Sequence, residues 1–376
     1  MKESLQDRAR WIGCQLRDDA LPWWARTVDS QHGGFLLAPD EKQLATQSRM
    51  VWTFAHAHRK SLGDYLGLAE QGLEFLRERF RDRRHGGFFW KTDRAGRVRN
   101  DRKILYGHVA LIYALVEYAR AAEDGGALGE ARELFELLAD RAHDEVHGGW
   151  REHFSRRWRP AGRGRPGFEV EIPGLRSANV HMHMMEMLSQ LLSETGDERV
   201  AALLAETVDL GTSQFFPDDP HASVQHRTRD WRAVRRAGIS HGHSIEFAWL
   251  LVLAETVVGR EPSRPRFEAY LASMLAAERP ERIWWEEAEV LAALSVGLAR
   301  WPGEALEEAL DRHLEFLIAD VIDPEDGIWW ERVRWDGEPV VTTKVRTWKD
   351  AFHEVRACSL LLDALGVGLQ LERRQV

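Results

Sequence analysis

Cysteine and long apolar runs are both scarce in this sequence. Cys14 and Cys358 are the only cysteines among 376 residues, and two so far apart provide neither a disulfide framework nor a zinc motif. No apolar run approaches the roughly 18 residues that a membrane-spanning helix needs. The first turns of the chain are charged and amphipathic, unlike a secretory signal. These absences predict a cytoplasmic protein that has no membrane partner.

Net positive charge is also absent. Lysine and arginine number 51 against 60 aspartate and glutamate residues, so the formal net charge is -9 at pH 7. An acidic chain repels the phosphates of nucleic acids and anionic membranes, and nucleic acid is therefore not an expected partner. Two arginine clusters, at 156–165 and 232–236, depart from this average. Acidic helices surround them, and we interpret both as solvated loops, with anion binding as the alternative.

Strand-like alternation is rare and confined to loops such as 339–343, whereas apolar residues recur at the i, i+3, i+4 and i+7 spacing of helices. No linker rich in proline, glycine or serine is long enough to divide the chain, so we predict one domain over 1–376. The sequence predicts helices at 4–21, 45–62, 65–80, 103–122, 129–142, 177–194, 198–215, 243–258, 266–277, 284–299, 304–320 and 350–365.

A short signature recurs between the predicted helices: Asp, two residues, His or Asp, Gly, one residue and an aromatic side chain. Copies begin at Asp29, Asp82, Asp144 and Asp323. They are separated by roughly 60 residues or a multiple of that length, whereas common helical solenoids repeat every 34 to 47 residues or so. Six helical hairpins of this longer period favour a closed ring. The sequence therefore predicts an all-α fold, an (α/α)6 barrel with inner and outer rings of helices.

The second helix of each predicted hairpin carries unusual polar residues near its start. If these helices form the inner ring, their first turns converge at one end of the barrel. In the fourth hairpin Ser240 is the expected N-cap, and the two polar residues that follow it are three apart, so they share a helix face. The residues expected to surround one cavity are Arg49, His183, His243, Glu246 and His353.

Such a cavity suits some chemistries better than others. His181 and His183 are two residues apart and point in different directions on a helix, so they do not form a metal-ligand pair. Glu246 and Glu289 could supply the two carboxylates of a glycoside hydrolase, which remains a rival. Histidine exchanges protons near neutral pH, and two histidines on opposite sides of a carbon acid suit proton transfer beside a carbonyl. A non-catalytic sugar-binding barrel would instead leave the histidines of the fourth and sixth hairpins far apart.

Short motifs spread over nearly the whole chain resemble those of one known family. They are Arg49-Met50-Val51-Trp52-Thr53-Phe54, Asn179-Val180-His181-Met182-His183 with Glu186, Gly242-His243-Ser244-Ile245-Glu246, Trp284-Trp285 with Glu289, and Lys349 with Phe352-His353. Together they resemble the N-acylglucosamine 2-epimerase superfamily, which includes cellobiose 2-epimerases and mannose isomerases. The resemblance implies an (α/α)6 barrel, in agreement with the period of the repeats.

The resemblance also implies roles for individual residues. His243 and His353 would form the acid/base pair, and Arg49, His183 and Glu246 would bind the sugar or stabilise the enediolate. From its spacing of three residues, we also expect Glu246 to hold His243 in one tautomer. No metal, nucleotide or other cofactor would be required for the chemistry. The residues expected to bind substrate are Arg49, Trp52, Tyr106, Asn179, His183, Trp284, Glu289 and Lys349.

Two segments of the sequence favour different substrates. Residues 341–350 resemble mannose isomerases, whereas residues 148–154 resemble epimerases of free sugars or cellobiose. We predict a mannose–fructose isomerase that uses a cis-enediolate, with 2-epimerisation of mannose and glucose, N-acylglucosamine or cellobiose as the alternative. The expected partner is a monosaccharide, with a disaccharide as the alternative, and the outer helical wall leaves a homodimer open.

Overall fold

A computed structural model describes residues 3–234 and 240–369 of the chain. Residues 1–2, 235–239 and 370–376, which the predicted domain limits include, lie outside the described residues, as do Arg235 and Arg236 of the second arginine cluster. Across the described ranges, no helix is long and apolar enough to cross a membrane.

Long helices form two concentric sets. The inner set is α3 (Leu44–Arg59), α5 (Leu105–Ala122), α7 (Ala178–Thr195), α9 (His241–Val257), α11 (Trp284–Arg300) and α13 (Phe352–Leu365). The outer set is α1 (Glu3–Gln15), which a short helix α2 (Leu21–Ala25) follows, with α4 (Leu66–Phe75), α6 (Gly125–Arg141), α8 (Glu198–Leu210), α10 (Arg264–Ala276) and α12 (Glu304–Phe316).

Packing between neighbours closes the inner set into a ring. Each inner helix contacts the next one along the chain, and α13 contacts α3. The outer helix α1 likewise packs against α12 and α13. Inner helices are buried almost all round because other helices cover them on every side, as the unbroken run of buried residues from Leu44 to Ala57 illustrates. The predicted (α/α)6 barrel, with the second helix of each hairpin inside, is confirmed.

Helix boundaries differ from the predictions where local hydrogen bonding decides them. Helix α6, the fifth of the predicted helices, begins at Gly125 rather than at the predicted residue 129. The reason is that the Asp124 carboxylate accepts hydrogen bonds from the backbone N–H groups of Gly126 and Ala127. Ser240 is the N-cap of α9, as predicted, and its hydroxyl accepts from the His243 N–H. Four outer helical segments end in a wider π turn, a feature that the apolar spacing does not reveal: Leu16–Ala20, Leu76–Phe80, Gly211–Phe215 and Leu317–Val321.

The repeated aspartate signature forms the turns that lead from the outer to the inner ring. Each aspartate is buried and pairs with a lysine or arginine that lies before the next inner helix in the chain. This pairing compensates for the cost of burying the negative charge. The pairs are Asp29–Lys42, Asp82–Lys103, Asp144–Arg176 and Asp323–Lys344, with N–O distances of 3.0, 3.1, 2.9 and 2.6 Å. The aromatic residue of the signature fills the core: Phe35, Phe88, Trp150 and Trp329 are all buried.

Two histidines of the inner ring belong to these turns. The Nδ1–H groups of His108 and His181 donate to backbone carbonyls four residues earlier, and Nε2 of each accepts from the backbone N–H of the signature aromatic. In the first turn, Gln47 accepts the same hydrogen bond with its amide oxygen. Burial lowers the pKa of both imidazoles to about 3. These histidines therefore have a structural role.

Short antiparallel strands lie between the helices, where the sequence places its few strand-like segments. One sheet joins β1 (Glu41–Gln43), β2 (Lys91–Asp93) and β3 (Val98–Asn100), and another joins β8 (Glu281–Ile283), β9 (Arg332–Arg334) and β10 (Pro339–Val341). Two-stranded pairs join β4 (Lys103–Ile104) to β5 (His153–Phe154) and β6 (Arg176–Ser177) to β7 (His226–Arg227). Because β1, β4, β6 and β8 run directly into inner helices, these strands fix where those helices begin.

Candidate active site

The first turns of the inner helices surround a cavity of about 250 Å³. Eight of the eleven sequence-predicted site residues line it: Arg49, Tyr106, Asn179, His183, His243, Glu246, Trp284 and His353. Four further residues complete the wall, namely Glu169, Val170, Trp285 and Trp348. The convergence follows from the fold, since neighbouring helices of the inner ring all begin at this end.

The two candidate acid/base histidines both lie close to one indole. The ring centroid of Trp285 is 5.2 Å from that of His243 and 5.8 Å from that of His353. Both imidazoles line the same cavity, whereas a barrel without a two-histidine mechanism was expected to hold them far apart. Trp285 belongs to the Trp284-Trp285 motif of the sequence but is not among the predicted site residues.

His353 is held by a buried carboxylate. Its Nδ1 atom lies 2.6 Å from Oε1 of Glu289, so Nδ1–H donates to the carboxylate and Nε2 is left to exchange a proton. Burial, reinforced by the positive charge of Arg49, lowers the pKa of His353 well below its ordinary value. The imidazole is therefore neutral at pH 7 and is able to act as a base.

His243 lacks the carboxylate contact that the sequence predicted for it. Its Nδ1 atom has no hydrogen-bond partner among the described residues, and Glu246 instead accepts a hydrogen bond of 2.6 Å from Nη2 of Arg356. The expectation that Glu246 fixes the tautomer of His243 is thus wrong. Burial lowers the pKa of His243, although the negative charges of Glu246 and Glu171 oppose this effect.

Arg356 connects three buried carboxylates beneath the cavity. Its guanidinium donates to Glu186, to Glu246 and, over 2.7 Å, to Oε1 of Glu289. Glu186 also accepts from Nδ1–H of His183 over 2.8 Å. Burial raises the pKa of Glu186, but Arg356 and His183 outweigh it and bring that pKa to about 2. Arg356 is not among the residues predicted from the sequence, where its only signal is its position one helical turn after His353.

The Arg49 side chain offers donors that the protein itself does not use. Its Nε lies 3.2 Å from Oδ2 of Asp350, and the guanidinium stacks 4.7 Å from the ring centroid of Phe352. Neither Nε nor Nη2 has a hydrogen bond of proper geometry within the described part of the chain. Buried donors without partners are costly, so a ligand oxygen in the cavity would satisfy them.

Other lining residues supply flat or hydrogen-bonding surfaces. Tyr106 meets the edge of His183, with ring centroids 5.2 Å apart, and burial raises its pKa to about 12. Asn179 donates to Oε1 of Glu171 over 3.0 Å. The Trp284 ring faces the cavity while its Nε1 atom has no partner among the described residues. These groups suit a ligand that has both C–H faces and hydroxyl groups.

Three predicted substrate-binding residues lie behind the wall instead. Trp52 is stacked 4.4 Å from His56 and 5.5 Å from Tyr113, measured between centroids. Lys349 is fully buried and donates to Glu354 over 2.8 Å, with Nζ 5.0 Å from the centroid of Trp284. The third, Glu289, holds His353 as described above. Lys349 and Glu289 therefore support neighbouring residues, whereas Trp52 also lines a small adjoining space together with Arg49, Tyr106 and His183.

The carboxylates do not face each other across the cavity as the glycosidase alternative requires. Glu246, Glu289 and His353 offer possible ligand atoms within 4.8 Å of one another, but Nη2 of Arg356 already lies between the two carboxylates. The guanidinium occupies the position of positive charge that a metal ion would take. Both acids are also buried and bound to the protein, whereas a hydrolase places its carboxylates on opposite sides of the sugar.

Comparison with known proteins identifies the family. The sequence matches N-acylglucosamine 2-epimerase (GlcNAc 2-epimerase) over residues 29–279 and 267–357. The chain belongs to the N-acylglucosamine 2-epimerase family. It is accordingly a sugar epimerase or isomerase, as the sequence motifs predicted.

Relatives within this family differ in their reactions. Cellobiose 2-epimerase from Ruminococcus albus is 28% identical over 92% of this chain and 95% of its own length. The structure of cellobiose 2-epimerase from Spirochaeta thermophila superimposes with a TM-score of 0.88 and 28% identity, covering 97% of this chain and 98% of that one. D-mannose isomerase from Thermobifida fusca is 26% identical over 85% of this chain and 84% of its own length.

Proposed function

We propose that this member of the family is a sugar 2-epimerase acting on the reducing unit of a cellobiose-like disaccharide. The proposed chemistry rests on one observation: His243 and His353 line the same cavity, and both lie close to Trp285. The choice of a disaccharide is supported by its similarity to two cellobiose 2-epimerases along nearly the whole chain. The predicted mannose–fructose isomerisation becomes the second candidate.

The reaction begins with loss of the proton at C2 of the open-chain aldose. One histidine takes that proton, and the negative charge moves to the carbonyl oxygen at C1, giving a cis-enediolate. Arg49 lies in the cavity wall, where its N–H groups can stabilise the developing charge. His183 lines the same wall, but its Nδ1–H already donates to Glu186. The other histidine, which enters this step as an imidazolium, then donates its proton to the opposite face of C2 and inverts that carbon. The first histidine is left protonated and the second neutral, and proton exchange with solvent restores the starting forms.

Isomerisation needs the same first step and differs in the second. If the proton returns to C1, the product is a ketose. The two outcomes depend on which carbon lies closer to a protonated imidazole, and a displacement of about 1 Å is enough to change such a rate by about 10²-fold. Mannose–fructose isomerisation is therefore kept as the alternative.

Incubation with cellobiose and, separately, with mannose in D2O tests the proposal, with NMR detection of products and deuterium. We expect glucosyl-mannose carrying deuterium at C2 of the reducing unit. Fructose from mannose, with no change in cellobiose, would favour the alternative. Release of free glucose from cellobiose would contradict both and indicate hydrolysis.

Single variants test the two histidines. His243→Ala and His353→Ala are each expected to lower kcat by at least about 10²-fold, as for loss of a general acid or base. His181→Gln is the matched control, because a glutamine fills the equivalent position at Gln47. The variant that still exchanges C2 deuterium without forming product retains the first base. Wild-type turnover in both alanine variants would end the two-histidine mechanism.

A further inference from the structure

A basic groove lies beside the catalytic cavity, between the β2–β3 hairpin and the loop at 155–169. Its volume is about 1060 Å³, and eight lysine or arginine residues line it against three carboxylates. This concentration of positive charge contrasts with the chain's net charge of -9. Such a local excess attracts anions.

Most of the arginines in this groove are not used by the fold. Arg156 pairs with Asp82, and Arg99 pairs with Asp93. By contrast, Arg157, Arg159 and Arg165 are exposed and have no carboxylate partner within the described ranges. Their guanidinium groups can fork two hydrogen bonds to one carboxylate or phosphate.

The groove adjoins the catalytic cavity at Glu169. Along the chain, Phe168 lines the groove, Glu169 lines both spaces, and Val170 lines the cavity. Glu169 also pairs with Lys91 of the groove. A ligand whose first sugar occupies the cavity and which extends past Glu169 therefore enters the basic groove.

We propose that the preferred substrate is an anionic disaccharide, which rests on the proposed 2-epimerase function. Its reducing aldose occupies the cavity, and its second unit carries a carboxylate or a phosphate that Arg157, Arg159 and Arg165 bind. The histidines act on C2 of the reducing unit as before. The second unit takes no part in the chemistry and contributes binding only.

Steady-state kinetics with three disaccharides test this inference. The substrates are cellobiose, its analogue with glucuronate as the non-reducing unit, and its analogue with phosphate on O6 of that unit. We expect kcat/KM for at least one anionic analogue to exceed that for cellobiose by at least about 10-fold, since charge-assisted hydrogen bonds reach this magnitude. The preferred analogue identifies the anion. Added NaCl should reduce the ratio because it screens exposed charges.

A triple variant and a matched control distinguish the effect of the groove arginines on kcat/KM from the effect of the protein's overall charge. Arg157→Gln, Arg159→Gln and Arg165→Gln together should lower the anionic-to-neutral ratio of kcat/KM by about 10-fold or more. Arg10→Gln, Arg264→Gln and Arg312→Gln remove the same charge from the outer helices α1, α10 and α12 and should preserve the ratio.

The failures of the two proposals are distinguishable. If none of the three disaccharides is epimerised, the proposed function is wrong. If cellobiose is epimerised but neither anionic analogue is preferred, or if both triple variants change the ratio equally, the groove does not bind substrate. Activation of cellobiose turnover by inorganic phosphate, without competition against the anionic analogues, would also overturn the inference, because it would indicate an effector site.

Discussion

The Nδ1 atom of His353 lies 2.6 Å from Oε1 of Glu289, and both side chains are buried. The contact fixes the tautomer and stabilises the imidazolium that forms when Nε2 takes a proton. We expect Glu289→Gln to lower kcat by at least about 10-fold, less than the roughly 10²–10⁴-fold cost of losing the base itself. KM should change little. Steady-state kinetics on the sugar substrate measure the effect.

Glu287→Gln is the control for that experiment. Glu287 is on the same helix, is equally buried and pairs with Arg279 over 2.7 Å, outside the cavity. Its replacement should lower the melting temperature but preserve kcat. Equal losses of kcat in the two variants would mean that Glu289 acts only through stability.

Arg49 should bind substrate rather than hold the barrel together. Neither its Nε, which pairs with Asp350, nor its Nη2 makes a hydrogen bond to the described residues. Arg49→Ala should therefore raise KM and lower kcat, with kcat/KM reduced by about 10- to 100-fold for one charged hydrogen bond of about 1.5–3 kcal/mol. Arg49→Lys should restore little, since lysine cannot form a fork. An unchanged kcat/KM with a lower melting temperature would instead indicate a structural arginine.

Lys349 and Glu354 form a buried ion pair beside Trp284. Burial raises the pKa of Glu354 despite the opposing charge of Lys349. Lys349→Met should cost about 3–5 kcal/mol in the free energy of unfolding, because it leaves a buried acid unpaired. The double variant Lys349→Met, Glu354→Leu should recover most of that loss. Urea unfolding of both variants tests this, and a double variant less stable than the single one would contradict it.

Stability should fall as the pH drops below about 6.5, the ordinary histidine pKa, before the carboxylates titrate. His108 and His181 have pKa values of about 3 in the folded protein. The unfolded chain therefore binds their protons first, and each contributes a loss of up to about 1.4 kcal/mol per pH unit between roughly pH 6.5 and 4.5. Urea midpoints at pH 7 and pH 5 measure the slope. In His108→Gln the slope should be smaller, and an unchanged slope would show that other groups control it.

Activity should survive removal of metal ions. The only group of three possible ligands found among the described residues is Glu246, Glu289 and His353, and Arg356 donates to both of its carboxylates. Dialysis against EDTA is therefore expected to leave kcat unchanged. A loss that one specific divalent ion alone restores would show that a metal displaces the guanidinium.

Periodicity predicts this fold well because each inner helix is buried almost all round and each outer helix has one apolar stripe. The repeated aspartate signature adds the period, which excludes common solenoids. The π turns at the ends of outer segments, such as Leu76–Phe80, leave no mark in apolar spacing. The π turns depend on how the chain enters the next connection, which tertiary contacts decide rather than local sequence.

The site was predictable in outline and not in its hydrogen bonds. Residues near the starts of inner helices converge because of the ring, and this geometry placed His243 and His353 correctly on one cavity. Which residues form hydrogen bonds with one another in the site depends on side-chain rotamers and on helices that are far apart in the sequence. Spacing alone suggested Glu246 for His243, whereas Arg356 from α13 is the group that Glu246 contacts.

The contact between α13 and α3 fixes the number of hairpins. An open solenoid can gain a repeat at either end, but a closed ring cannot add one without losing its seam. Evolutionary change in such a scaffold is therefore directed into the connections, where insertions disturb little packing. The long connection between β5 and β6, which forms one side of the basic groove, is such a place. A change in the length or charge of this loop can therefore alter the groove while the helices that carry His243 and His353 keep their positions.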